Sequence, residues 1–125
     1  MKLKELIAVG CGGFLGAIFR YLVSGWAQTL SKTSFPYGTL AVNLLGSLVL
    51  GFIAGLSVKT VLAPNVRLFL SIGVLGAFTT FSTFSYETMM LLRTESFSQA
   101  FLNITVSLFF GILLVYCGYI AGQAI

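Results

Sequence analysis

Four long apolar stretches set the pattern of this chain, and three short polar linkers separate them. Each stretch reaches the roughly 20 residues that a membrane-spanning helix needs. They predict helices from about Lys4 to Leu30, Tyr37 to Ser57, Pro64 to Leu92 and Phe97 to Gly122. The linkers fall around Ser31 to Phe35, Val58 to Ala63 and Arg93 to Ser96. Phe35-Pro36 opens the second stretch, and proline suits a helix start because the amide hydrogen it lacks would have no partner there. The predicted fold class is an all-α membrane protein, a single four-helix transmembrane domain over residues 1–125. The first stretch is too long and too glycine-rich for a signal h-region and has no convincing cleavage site, so it is expected to be retained.

Within the third stretch the run Gly73 to Glu87 departs from the pattern. Gly73 and Gly76 precede Thr79, Thr80, Ser82, Thr83 and Ser85, which interleave with Phe78, Phe81 and Phe84. Helix propensity is poor here, because glycine is permissive and Ser and Thr compete for backbone hydrogen bonds. Unwound backbone at membrane depth is tolerated only inside protein or along a wet cavity. The run is therefore either the packing core of a bundle or a site for something polar. Its three phenylalanines drift by only about 60° per step around a helix, which also fits core packing.

The other stretches carry polar stripes. Thr39, Asn43 and Ser47 recur every fourth residue in the second, flanked by Gly38 and Gly46; Asn103, Ser107 and Gly111 do so in the fourth. Such groups either bond a neighbouring helix or line a pathway, and Asn43 is the sharpest because its amide offers two donors. Arg20 lies deep in the first stretch, beside Tyr21. It either snorkels to the interface or stands at the mouth of an anion pathway, and both can hold together. Glu87, the only acid well inside an apolar stretch, would cap, pair with Arg93 or face a vestibule. Small residues four apart, Gly12 and Gly16, Ser47 and Gly51, Gly51 and Gly55, Gly118 and Gly122, predict close helix contacts within or between subunits.

Composition fixes the class. Of 125 residues, 58% are hydrophobic and only 8% charged, against about 25% charged in soluble domains. No histidine and three acids argue against a metal cluster or paired-carboxylate catalysis, and the scattered bases behind the net charge of +4 do not suggest nucleic acid. Cys11 and Cys117 sit in apolar stretches and read as packing thiols. Four spans put Lys2, Lys4, Lys59 and Arg67 on one side, opposite Lys32, Arg93 and, if it reaches that surface, Arg20. That bias is weak under the positive-inside rule, and it leaves both a single orientation and insertion both ways open.

With no nucleophile–base pair, metal-ligand cluster or phosphate loop, an enzyme is disfavoured. Amide and hydroxyl donors suit a narrow pore for a small anion, with Arg20 raising local anion concentration. A phenyl ring is electropositive at its edge, so edges turned to a path attract an anion without trapping it. Carbonyls freed by a break near Gly76 and Thr79 would instead favour a cation.

Three motifs carry a resemblance: Gly-Gly-Phe-Leu-Gly-Ala-Ile-Phe-Arg-Tyr at 12–21, Gly-Thr-Leu-Ala-Val-Asn-Leu-Leu-Gly-Ser at 38–47 and Gly-Ala-Phe-Thr-Thr-Phe-Ser-Thr-Phe-Ser-Tyr-Glu at 76–87. In order and spacing they resemble the CrcB/Fluc fluoride channels, with the fourth stretch matching only loosely. The resemblance implies a passive, fluoride-selective channel that exports toxic fluoride from the cytoplasm across the inner (plasma) membrane of a prokaryote. It also implies an antiparallel dual-topology homodimer with two pores, a third helix broken near Gly76 to Thr83, and a structural sodium ion at the dimer centre. By motif, Gly76 and Thr79 would give carbonyls to sodium, Phe81 and Phe84 the ring pair, with Phe78 left to packing. Asn43 would be the pore amide, Arg20 the vestibule cation, Ser82 and Thr83 polar groups at the break, and Asn103 and Ser107 a polar track that Gly111 continues without a hydroxyl. The alternatives are a small dual-topology multidrug transporter, which needs a membrane-embedded carboxylate that the first stretch lacks beyond Glu5, and a non-transporting assembly protein whose stripes only pack helices.

Overall fold

The computed structural model describes residues 2–125, and helices long and apolar enough to cross a membrane form at the four expected places. Helix α1 spans Leu3–Leu30 and α2 spans Tyr37–Lys59. The third span, Pro64–Arg93, is two helices: α3 over residues 64–78 and α4 over Phe81–Arg93. Helix α5, Phe97–Ala124, closes the chain. At 28 residues, α1 and α5 are roughly 42 Å long, more than the roughly 30 Å hydrocarbon core of a bilayer.

The small-residue pairs pack within the chain. Gly51 and Gly55 of α2 lie against the backbone of Val115 and Tyr119, while Gly118 and Gly122 of α5 lie against that of Leu48 and Phe52. A Cβ at any of these four glycines would collide with a facing carbonyl, so the two helices touch backbone to backbone. Gly12 and Gly16 of α1 meet α3 in the same way, at Phe69, Gly73 and Val74. There, over Leu68–Leu75, α3 widens into a π-helix, a form seen mostly as single turns and frequently at functional sites.

Two local devices set the ends of the spans. Gln28 of α1 clamps the first linker: its amide nitrogen donates to the carbonyls of Thr33 (3.3 Å) and Phe35 (3.1 Å), and its oxygen accepts from the Gly38 amide (3.0 Å). Residues 91–96 close α4 with a reversed turn in which the Ser96 amide reaches back to the Leu91 carbonyl (2.9 Å) and Glu95 takes φ 58°. The core is thin; Val42 and Asn103 are the large side chains fully enclosed among the described residues.

Candidate pore at the broken helix

The break is at Thr79 and Thr80, both extended. Thr80 starts α4 as its N-cap: its hydroxyl accepts from the Thr83 amide (3.2 Å) and donates to the Thr83 hydroxyl (3.1 Å). Asn43 of α2 holds the same residue at two points. Its carbonyl oxygen accepts from the Thr80 amide (2.8 Å), and its nitrogen donates to the Thr80 carbonyl (3.0 Å). This reciprocal pairing fixes which way the side-chain amide faces and leaves one of its two N–H donors uncommitted. Opposite the break, Gly46 makes room for the Thr79 methyl, which a Cβ would strike.

These bonds have a consequence for the carbonyls. In a continuous helix the Thr80 amide would bond the Gly76 carbonyl, and the Thr83 amide the Thr79 carbonyl. Here the first goes to Asn43 and the second to the Thr80 hydroxyl. The break thus leaves the carbonyls of Gly76 and Thr79, with those of Ala77 and Phe78 between them, without their helical amide partners. Oxygen donors freed in this way suit a hard cation such as sodium.

A cleft of about 280 Å³ opens beside the break. Asn43 and Ser47 of α2, Gly76, Thr79 and Thr80 of the break, Phe81 and Phe84 of α4, and Ser107 of α5 all line it. The rings of Phe81 and Phe84 stand 5.7 Å apart, tilted by 40°. Phe84 is 9% exposed and Phe81 76%, so one ring is set in the fold and the other is bare. The Ser107 hydroxyl is buried with no hydrogen-bond partner among the described residues, an uncommon state for a buried polar atom. The 13-residue α4 starts at this cleft, which brings the positive end of its dipole there.

Other expected residues stand elsewhere. Ser82 and Thr83 are exposed on the first turn of α4, within the Thr80 cap. Arg20 is half-buried on α1, roughly 15 Å short of its end by helical rise, and is not in the cleft wall. Asn103 lies behind the cleft, 1% exposed, its amide donating to the Thr88 hydroxyl (3.0 Å). Glu87 accepts from the Thr39 hydroxyl (2.8 Å) and borders a second cleft of about 500 Å³ with Gln28, Ser34 and Thr94. Ser71 joins the wall of the first cleft without having been singled out, and so does Thr80, which the sequence placed in the polar run but gave no role of its own. Thr80 had a signal, as a Thr three residues before another Thr; Ser71 had none, since its direction depends on the π-helical turn.

A cleft that brings a few polar groups to the unwound point of a multi-span helical membrane protein fits a class, the transport proteins built on broken helices. The comparisons with known proteins narrow it. Residues 7–119 match the family model for CrcB-like protein, Camphor Resistance (CrcB). A protein of Sulfurovum sp. (strain NBC37-1), named fluoride-specific ion channel FluC, is 49% identical over 113 residues, 90% of this chain and 89% of its own. Proteins of the same name from Methanocaldococcus jannaschii (45% identical, 98% of both chains) and Thermus thermophilus (43% identical, 100% of this chain and 98% of the relative) match almost end to end. The chain belongs to the CrcB family and is an integral, multi-pass membrane protein.

Proposed function

We propose that this chain is a fluoride-selective channel that lets fluoride leave the cytoplasm passively. The observation that carries the reading is the convergence of a free Asn43 donor, the partnerless Ser107 hydroxyl and the Phe81–Phe84 ring pair on one cleft at the start of α4. Each offers hydrogen or positive charge density to an anion, and none offers a fixed cation that would hold it. The names of the relatives support fluoride as that anion. Fluoride enters cells as neutral HF and dissociates near neutral pH, so a passive anion leak is enough for export.

In this reading Asn43 and Ser107 replace water around the ion and the ring edges carry it between them. Ser82 and Thr83 border the break, Arg20 concentrates anions at the approach, and the track on α5 continues from Ser107. The carbonyls of Gly76 and Thr79 would hold a structural sodium ion, which supplies positive charge that ties the break together. One chain brings two such oxygens, so a second copy would complete the shell; the same pairing gives the antiparallel, dual-topology homodimer with two pores. A drug–proton exchanger lacks support, because no acid lines the cleft.

The test is fluoride efflux from liposomes holding the purified protein, followed with a fluoride electrode. Voltage-driven, fluoride-specific release is expected. Protein that is folded and inserted yet gives no such release would sink the reading, and proton-coupled uptake of cationic drugs would replace it with the exchanger.

A further inference from the structure

Phe84 differs from its ring partner Phe81 in that its backbone is tied, through Thr88, to α5. Its backbone carbonyl accepts a 2.7 Å hydrogen bond from the Thr88 hydroxyl, one turn further along α4. The Thr88 oxygen in turn accepts a 3.0 Å hydrogen bond from the amide of Asn103 on α5. All three residues are buried: Asn103 at 1% exposure, Thr88 at 7% and Phe84 at 9%. The relay has a direction. Asn103 can only donate through its nitrogen, so the Thr88 oxygen must accept there and its hydrogen is turned to Phe84. A Thr bonding back to its own helix bends the backbone locally, so this hydrogen bond helps set where the Phe84 Cα points its ring.

We propose that Asn103 and Thr88 are positioning residues for the fluoride path: they fix the Phe84 ring by a two-step hydrogen-bond relay, and Asn103 does not itself touch the ion. The inference rests on the channel reading. It accounts for why Asn103 and Ser107, one turn apart on α5, have opposite surroundings. Ser107 borders the cleft with its buried hydroxyl unpartnered, while Asn103 lies outside the cleft wall and is bonded. The Phe81 carbonyl also accepts a hydrogen bond from a hydroxyl of the next turn, that of Ser85 at 2.9 Å, but Ser85 is exposed and bonds no second helix. Of the two rings' helix turns, only that of Phe84 is therefore tied to α5.

Two substitutions at Thr88 separate positioning from packing. Thr88→Val keeps the shape and removes the hydroxyl; Thr88→Ser removes a methyl and keeps the hydroxyl. Flux per folded channel is measured in liposomes, with thermal unfolding of the same samples alongside. Thr88→Ser is expected to conduct near the wild-type rate and Thr88→Val about tenfold more slowly, the effect of one lost buried hydrogen bond. Asn103→Leu should match Thr88→Val, and the two together should be no slower than either, because both cut one relay. If Asn103→Leu does not assemble, the Thr88 pair alone decides. Wild-type flux in Thr88→Val, or Thr88→Ser slower than Thr88→Val, overturns the proposal; so does a double variant whose losses multiply, which would put Asn103 on the path in its own right. Failure of the wild-type protein to pass fluoride would remove the channel reading instead, a result these variants cannot mimic.

Discussion

At the scale of single residues the cleft separates groups that hold the fold from groups that the fold leaves free. Ser107 is of the second kind. Its buried hydroxyl has no partner, so Ser107→Ala removes an unsatisfied group and should leave thermal stability unchanged or slightly higher. Fluoride flux should nevertheless fall several-fold; a variant that conducts normally would show that the hydroxyl does not face the ion. Asn43 is of both kinds, and Asn43→Leu should lower both quantities. It strands the amide and carbonyl of Thr80, a loss of about 1–3 kcal/mol per buried group that a denaturation series would register. Phe81, at 76% exposure, gives up little burial, so Phe81→Ile should slow flux more than it lowers the unfolding midpoint. Parallel loss of both would remove the ring-edge account. These residues were legible in the sequence as polar or aromatic groups at a common depth. What the sequence could not show was their division of labour: Asn103 and Ser107 share a stripe, yet Asn103 finds a partner in Thr88 of α4 and Ser107, at the cleft wall, finds none.

At the scale of elements the four spans were legible from apolar length, and the break from the crowding of Gly, Ser and Thr around residue 79. The widened turn over Leu68–Leu75 was not. That run reads as ordinary apolar helix, and its geometry accompanies the contact of Gly73 with Gly12, which only the fold brings together. Glycine spacing likewise showed that helices touch but not which ones. Since Gly51 and Gly55 meet backbone, Gly51→Ala should force α2 and α5 apart and destabilise the chain by about 1–3 kcal/mol, as overpacking does. Gly13→Ala, with nothing within 4 Å of the new methyl, should be tolerated. Comparing the two by thermal unfolding in one detergent tests the packing directly. Glu95 supplies a gain in the opposite direction. A non-glycine residue at φ 58° carries strain of about 1–2 kcal/mol, so Glu95→Gly should raise the unfolding midpoint without altering flux.

At the scale of the whole molecule the bundle uses the paired glycines Gly12, Gly16, Gly51, Gly55, Gly118 and Gly122 internally, and its uncovered faces carry large side chains. Phe81 is bare, the cleft is open along one side, and the sodium site proposed above would draw two carbonyls from each chain, too few to enclose a cation. A second copy related by an axis in the membrane plane would supply the missing wall and double the carbonyls at one point, provided both orientations are present. The charges allow this: Lys2, Lys4, Lys59 and Arg67 face Lys32 and Arg93 across the span, a small excess that a few substitutions can tip either way. One variant should carry added lysines in the linker of residues 31–36, and another should carry them beside Lys59. Each alone would be driven into a single orientation and should conduct poorly, because its copies cannot pair head to tail. Expressed together, the two should recover flux to near the wild-type level, as each supplies the orientation the other lacks. Full activity of either biased variant by itself would exclude the antiparallel pair and require the pore to be complete within one orientation.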